Sequence, residues 1–238
     1  MRTPRRRLPR VLLAISAGIP VLGFVASHNA TLLIYTLFAV ALLNRQRVTA
    51  AFAHVRLPGA AKFGGAVLIS GWLTECFAWL GSYLNHDKNP ALFHPQLIPD
   101  LILAIGFYGG WAVAWLLVLR RWQFTLGQVF VTTGLMGIFV EQNGAVIAVI
   151  IASLGNPLLA ALLALYVFAV YGAIMGLPYL LAGKGVPGAG ARTGWLKYLA
   201  ILAGMFFGAK LLFLVVAVVA MALHLIPPRQ PIWEHPFF

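Results

Sequence analysis

Residues 63–84 read FGGAVLISGWLTECFAWLGSYL, 22 positions with a single charged side chain, Glu75. A helix rises 1.5 Å per residue, so a run of about 20 apolar residues matches the hydrocarbon core of a bilayer. The stretch therefore predicts a membrane-crossing helix with one carboxylate inside it. Leu97–Leu119 repeats the pattern and is stopped by Arg120-Arg121. The period-two alternation of a membrane barrel is absent from both.

The whole chain agrees with these two segments. Of 238 residues, 61% are hydrophobic and 9% charged, with a mean hydropathy of +0.91. Soluble domains carry about 25% charged residues, so this composition excludes a water-soluble fold. The prediction is an all-α, polytopic transmembrane helical bundle, one integral membrane domain over residues 1–238. Its seven spans fall at about 9–27, 29–43, 63–84, 97–119, 123–141, 157–182 and 196–225. Residues 144–155 are apolar but broken by Gly155-Asn156-Pro157 and too short to cross, so they are expected to be re-entrant or interfacial. Residues 45–58 place Val48, Phe52 and Val55 on one face and arginines elsewhere, which suits an amphipathic segment on the membrane surface. Residues 183–194 form a glycine-rich cytoplasmic loop. The five arginines of Met1–Arg10 before an apolar run resemble a signal peptide, but a retained first span is the simpler expectation in a chain that needs the membrane anyway.

Charge orients the bundle. With the N-terminus cytoplasmic and the C-terminus extracytoplasmic, 14 of the 17 Lys and Arg residues lie on the inner side, as the positive-inside rule asks. The expected location is a membrane of the bacterial plasma-membrane type. The net charge of +12 comes from cations in short connectors between apolar runs. It lacks the basic face of a nucleic-acid-binding module, so nucleic acid is excluded as a partner. The lone Cys76 leaves no intramolecular disulfide.

The five acids, Glu75, Asp87, Asp100, Glu141 and Glu234, all map outside or to the outer half of the bilayer, joined by five of the six histidines. Glu75 is the first candidate for catalysis. A carboxylate at mid-depth costs several kcal/mol and needs a partner or a cavity. Lys210 lies at a similar depth in the last span and is its expected partner or an anion-binding group. Asp100 begins a helix, with Phe107 and Trp111 beneath it, Tyr108 adjacent and His94 before it. Glu141, Gln142 and Asn143 form a polar break beside glycines 127, 134 and 137. Glu75, Asp100 and Glu141 are the candidate catalytic groups. Lys210, Tyr108, Trp111, Gln142, Asn143 and His94 are the candidate substrate contacts. His86, His94 and His224 are metal ligands in kind but lack a ligand spacing. No motif assigns a cofactor or an oligomeric state. Gly183-Lys184-Gly185-Val186-Pro187-Gly188 matches a dinucleotide glycine pattern, but it follows a membrane span instead of a strand.

These residues favour a membrane-embedded enzyme acting on a lipid, apolar or lipid-linked substrate by acid–base or metal-assisted chemistry. The alternatives are a small-solute transporter using a buried Glu–Lys pair, an accessory membrane subunit, or a retinal-type chromophore protein with Lys210 as the Schiff base. Membrane lipid is the expected partner in each case.

Overall fold

The computed structural model describes residues 8–140, 144–186 and 194–238. It is 78% helical, with no strands among the described residues. The helices are α1 (Leu8–Ser27), α2 (Leu33–Leu43), α3 (Arg45–Ala53), α4 (Gly59–Leu84), α5 (Leu97–Leu119), α6 (Leu126–Val140), α7 (Ala145–Ala152), α8 (Pro157–Ala182) and α9 (Leu196–Ala222).

Five of them, α1, α4, α5, α8 and α9, are long and apolar enough to cross a membrane. Their outward faces carry large apolar side chains such as Leu22, Leu165 and Leu211 at 60–70% exposure. Water would not tolerate that surface, but lipid does. The seven expected crossings thus divide into five full-length helices and two shorter cases. α2 has only 11 residues, about 16 Å of helix. It packs back on α1 and against α8 as the second arm of a hairpin. α6 is followed at an 83° bend by Ala145–Gly155, so the apolar run past Val140 turns aside and does not extend α6. α3 has no buried residue, in keeping with a segment lying outside the bundle.

The centre is a layer of α4, α5 and α8. α9 is laid along α5, α6 along α8, and the α1–α2 hairpin against α8 and α4. The α5–α9 seam is made by glycine. A Cβ at Gly110 would fall 2.3 Å from the Gly208 carbonyl oxygen, and one at Gly106 would fall 2.6 Å from the Phe213 Cα. The two backbones are in direct contact, as small residues permit in membrane bundles. α8 starts sharply because Asn156 Oδ1 accepts the Leu159 N–H at 3.2 Å and Pro157 occupies the first turn.

One end of the bundle is closed by the 85–96 loop and the C-terminal tail. α5 has no side-chain cap. The tail instead supplies carbonyls to its first free donors: Leu97 N–H donates to Pro236 O at 3.0 Å and Ile98 N–H to Phe237 O at 3.2 Å. Trp79 Nε1–H donates to Pro236 O at 3.1 Å and stacks on Phe237. Gln96 Nε2 donates to the carbonyls of Gln230 and His235, both at 2.9 Å. Arg229 Nη2 reaches back to Phe93 O at 2.9 Å. The tail is a clasp, and it fixes the loop beneath it.

Candidate functional site

Under that loop lies a cavity of about 460 Å³, walled by α4, α5, α6, α8 and α9. Glu75, Tyr108, Trp111 and Lys210 all line it, and so does Tyr171. Residues 89–93 form its roof. Glu75 and Lys210 therefore border one space, although they come from helices that are far apart in sequence.

Each polar group is held by a specific local arrangement. Glu75 is 8% exposed, and Tyr108 Oη–H donates to its Oε1 at 2.6 Å. That length is typical of a hydroxyl donating to a carboxylate oxygen. Tyr108 itself is 2% exposed. Its ring lies on Gly71, one turn before Glu75, where an added Cβ would meet the ring at 2.3 Å. Tyr171 is seated the same way on Gly137 of α6. Trp111 bridges the two phenols, with ring centroids 6.0 Å from Tyr108 and 5.6 Å from Tyr171. Met205, fully buried, and Ala209 complete the apolar floor from α9. Lys210 and Phe206 are exposed as well as cavity-lining, so the space opens on the α9 side.

Asp100 and His94 are not on this cavity. Asp100, fully buried, accepts the His94 backbone N–H on Oδ1 at 3.0 Å. His94 Nδ1 accepts the Gln96 N–H at 3.2 Å, so the neutral ring carries its proton on Nε2 and donates it to Pro227 O at 3.1 Å. Both ring nitrogens are engaged, leaving no lone pair for a metal or a substrate. Burial is the larger of the effects that push the His94 pKa below its usual value, the nearby Arg229 guanidinium adding to it. The pair thus belongs to the clasp, where it orders the loop.

The gathering of histidines at this end has a backbone cause. His28, His86 and His224 follow the ends of α1, α4 and α9, with φ of 55°, 51° and 56°. Histidine is among the few non-glycine residues enriched in that left-handed region. His86 and His224 are exposed, and His86 lies 6.0 Å from the Trp233 ring. Among the described residues, no three His, Cys, Asp or Glu side chains come together to hold a metal. Glu141, Gln142 and Asn143 lie outside the described residues, just beyond the cavity-lining Val140.

Sequence reasoning missed Tyr171 and the 89–93 roof. Tyr171 had a faint signal, the Tyr-Gly step in an apolar helix, while the roof had none. It also missed Lys197, counted only as an inner-side cation. Lys197 is 6% exposed, and its Nζ donates to Gln123 O at 2.9 Å and Gln128 Oε1 at 3.0 Å. It also lies over the rings of Phe124 and Tyr198, tying the start of α9 to the α5–α6 connection.

Five long apolar helices, four of which border a cavity with polar and aromatic walls, define the class: a polytopic helical membrane protein. Beyond class, neither the family models, nor the curated proteins, nor the solved structures contain a match to this chain.

Proposed function

We propose that this protein is a membrane-embedded enzyme acting on a lipid or apolar substrate by acid–base chemistry in the Glu75 cavity. The observation that carries it is the short Tyr108–Glu75 bond inside a space of about 460 Å³ that also reaches Lys210. A carboxylate and a phenol on one hydrogen bond can pass a proton to and from a bound molecule. Lys210 supplies positive charge where negative charge would develop, and a dry surrounding strengthens that attraction. Trp111, Tyr171 and Met205 offer apolar contact to the rest of the substrate. In the N-terminus-inside, seven-crossing topology, the cavity falls in the outer half of a plasma-membrane-type bilayer. Asp100 stands one step back, holding the roof.

The test is comparative lipid analysis. Membranes of the source cell with the wild-type chain, with no chain, and with Glu75→Gln are extracted and resolved by mass spectrometry. A lipid species that changes with the wild-type chain and reverts with Glu75→Gln supports the enzyme. Identical profiles in all three membranes would sink it.

Transport is the second reading, favoured by the 83° turn after α6 at the edge of the same cavity. Irregular backbone at membrane depth is tolerated where it lines a cavity, and broken helices carry many transport sites. Solute flux through reconstituted vesicles that vanishes in Glu75→Gln, with unchanged lipids, would select it.

A further inference from the structure

α6 and α9 run in the same direction, since Val131 faces one space with Tyr198, and Met136 and Val140 face the next with Met205 and Lys210, yet they touch only slightly. Each has its close partner elsewhere, α8 for α6 and α5 for α9. Between them lies a second space of about 520 Å³, bordered by Val131, Thr132 and Leu135 on α6 and by Tyr198 and Leu202 on α9. It lies in line with the Glu75 cavity along both helices. Thr132 lies one helical turn from Met136, and Leu202 one turn from Phe206, and both of those residues line the Glu75 cavity. At the far end Lys197 is bound by Gln128 and lies over Tyr198. The result is an apolar groove, open to lipid along Val131 and Leu135, with the polar cavity at one end.

Resting on the assignment of the Glu75 cavity as the reaction site, we propose that this slot holds the hydrocarbon chain of the substrate. The substrate class is then a single-chain amphiphile, an alkyl or isoprenoid chain whose oxygen-bearing head lies between Glu75, Tyr108 and Lys210. Dimensions support the fit. From Tyr198 to Lys210 is twelve residues, or about 18 Å of helix. Half the hydrocarbon thickness of a bilayer is about 15 Å, so the slot and the cavity together have the length of one leaflet's chain. Charge distribution supports it too. The slot proper is lined by no ionised group, whereas Glu75 and Lys210 both stand at its upper end. The exposed Lys210 and Phe206 border the opening on the α9 side, through which a chain can enter sideways from lipid without its head crossing the membrane core.

The test uses a palmitic acid probe carrying a mid-chain diazirine and a terminal alkyne, added to the full-length protein in nanodiscs. The expected result is photolabelling concentrated in the peptides of 126–140 and 196–222. Leu202→Trp should lower that labelling at least fivefold, whereas Leu211→Trp, on the lipid-facing side of α9 at 66% exposure, should leave it unchanged. Val131→Trp fills the slot from the opposite wall and should act like Leu202→Trp, which guards against one variant failing to fold. Labelling spread evenly over all lipid-facing helices would overturn the proposal, as would labelling indifferent to both slot-filling variants. Glu75→Gln separates this inference from the enzyme assignment. Slot labelling that persists in Glu75→Gln while the lipid profile stays unaltered by that variant would leave the chain slot standing and remove the catalytic role.

Discussion

Gly71→Ala should uncouple Tyr108 from Glu75 without touching either residue. The added methyl would lie 2.3 Å from Tyr108 Cγ and Cδ2 and 2.7 Å from Cδ1. Carbon atoms rest at about 3.5–4.0 Å, so the ring must retreat by about 1.2 Å or more. The Tyr108 hydroxyl is 2.6 Å from Glu75 Oε1, and the same retreat, directed away from α4, carries it past hydrogen-bonding range. Tyr108 cannot swing freely, because Phe107 and Trp111 both pack edge-on against it. Overpacking costs about 1–3 kcal/mol, and a hydrogen bond to a charged group contributes about 1.5–3 kcal/mol. The single variant should therefore lose about 2.5–6 kcal/mol. A double-mutant cycle with Tyr108→Phe separates the two parts, since in that background the hydrogen bond is already gone. The measurement is denaturant or thermal unfolding of the four proteins in one detergent. Gly71→Ala should be milder by about 1.5–3 kcal/mol in the Tyr108→Phe background, that being the value of the bond. Strict additivity of the two substitutions would refute the claim that Gly71 positions the phenol.

Further expectations concern the scaffold. Gly110→Ala forces apart two backbones in contact and should prevent assembly of α9 on α5 or lower the melting temperature steeply. Gly109→Ala meets only the Leu212 Cδ2 at 3.0 Å, a movable side-chain end, and should be mild in the same melting assay. Acid should loosen the clasp. The His94 pKa is lowered in the folded state, so below the ordinary value near 6.5 the unfolded chain takes up a proton that the folded chain resists. Stability present above that pH is lost as the pH falls toward the folded pKa. Limited proteolysis of the 225–238 tail from pH 8 to 5 should show cutting that increases in acid, with the slope removed in His94→Asn. Gln96→Leu leaves the Gln230 and His235 carbonyls without their donor and should cost about 1–3 kcal/mol. Hydrogen exchange at Leu97 and Ile98 would report it as faster.

The helical membrane class was legible because hydropathy is a local property: each run of about 20 apolar residues needs only its own backbone hydrogen bonds to be stable in lipid. For the same reason Glu75 and Lys210 stood out, since an ion in an apolar run is visible without knowing its neighbours. The break at 155–157 was legible too, and Asn156-Pro157 starts α8. Where each side chain goes was another matter. Asp100 and Glu75 look alike in sequence, each a lone acid in an apolar helix, yet one is tied into a clasp and the other faces a cavity. The difference is made by partners more than a hundred residues away from Asp100: the tail carbonyls at 227–237, met by Gln96, His94 and the first turn of α5.

Sequence by itself determined which segments are long helices apolar enough to cross a membrane, and which few polar groups lipid would not tolerate alone. Tertiary structure alone decided that Glu75, Tyr108, Tyr171 and Lys210, from four helices, share one space. It also decided that α6 and α9 stay apart beneath them. The physical reason is rotational: a helix in lipid is stable at any angle about its axis until a neighbour arrives. Here contacts between glycines and rings, and between Gly110 and Gly208, select the angle, and those contacts link residues that no local pattern joins.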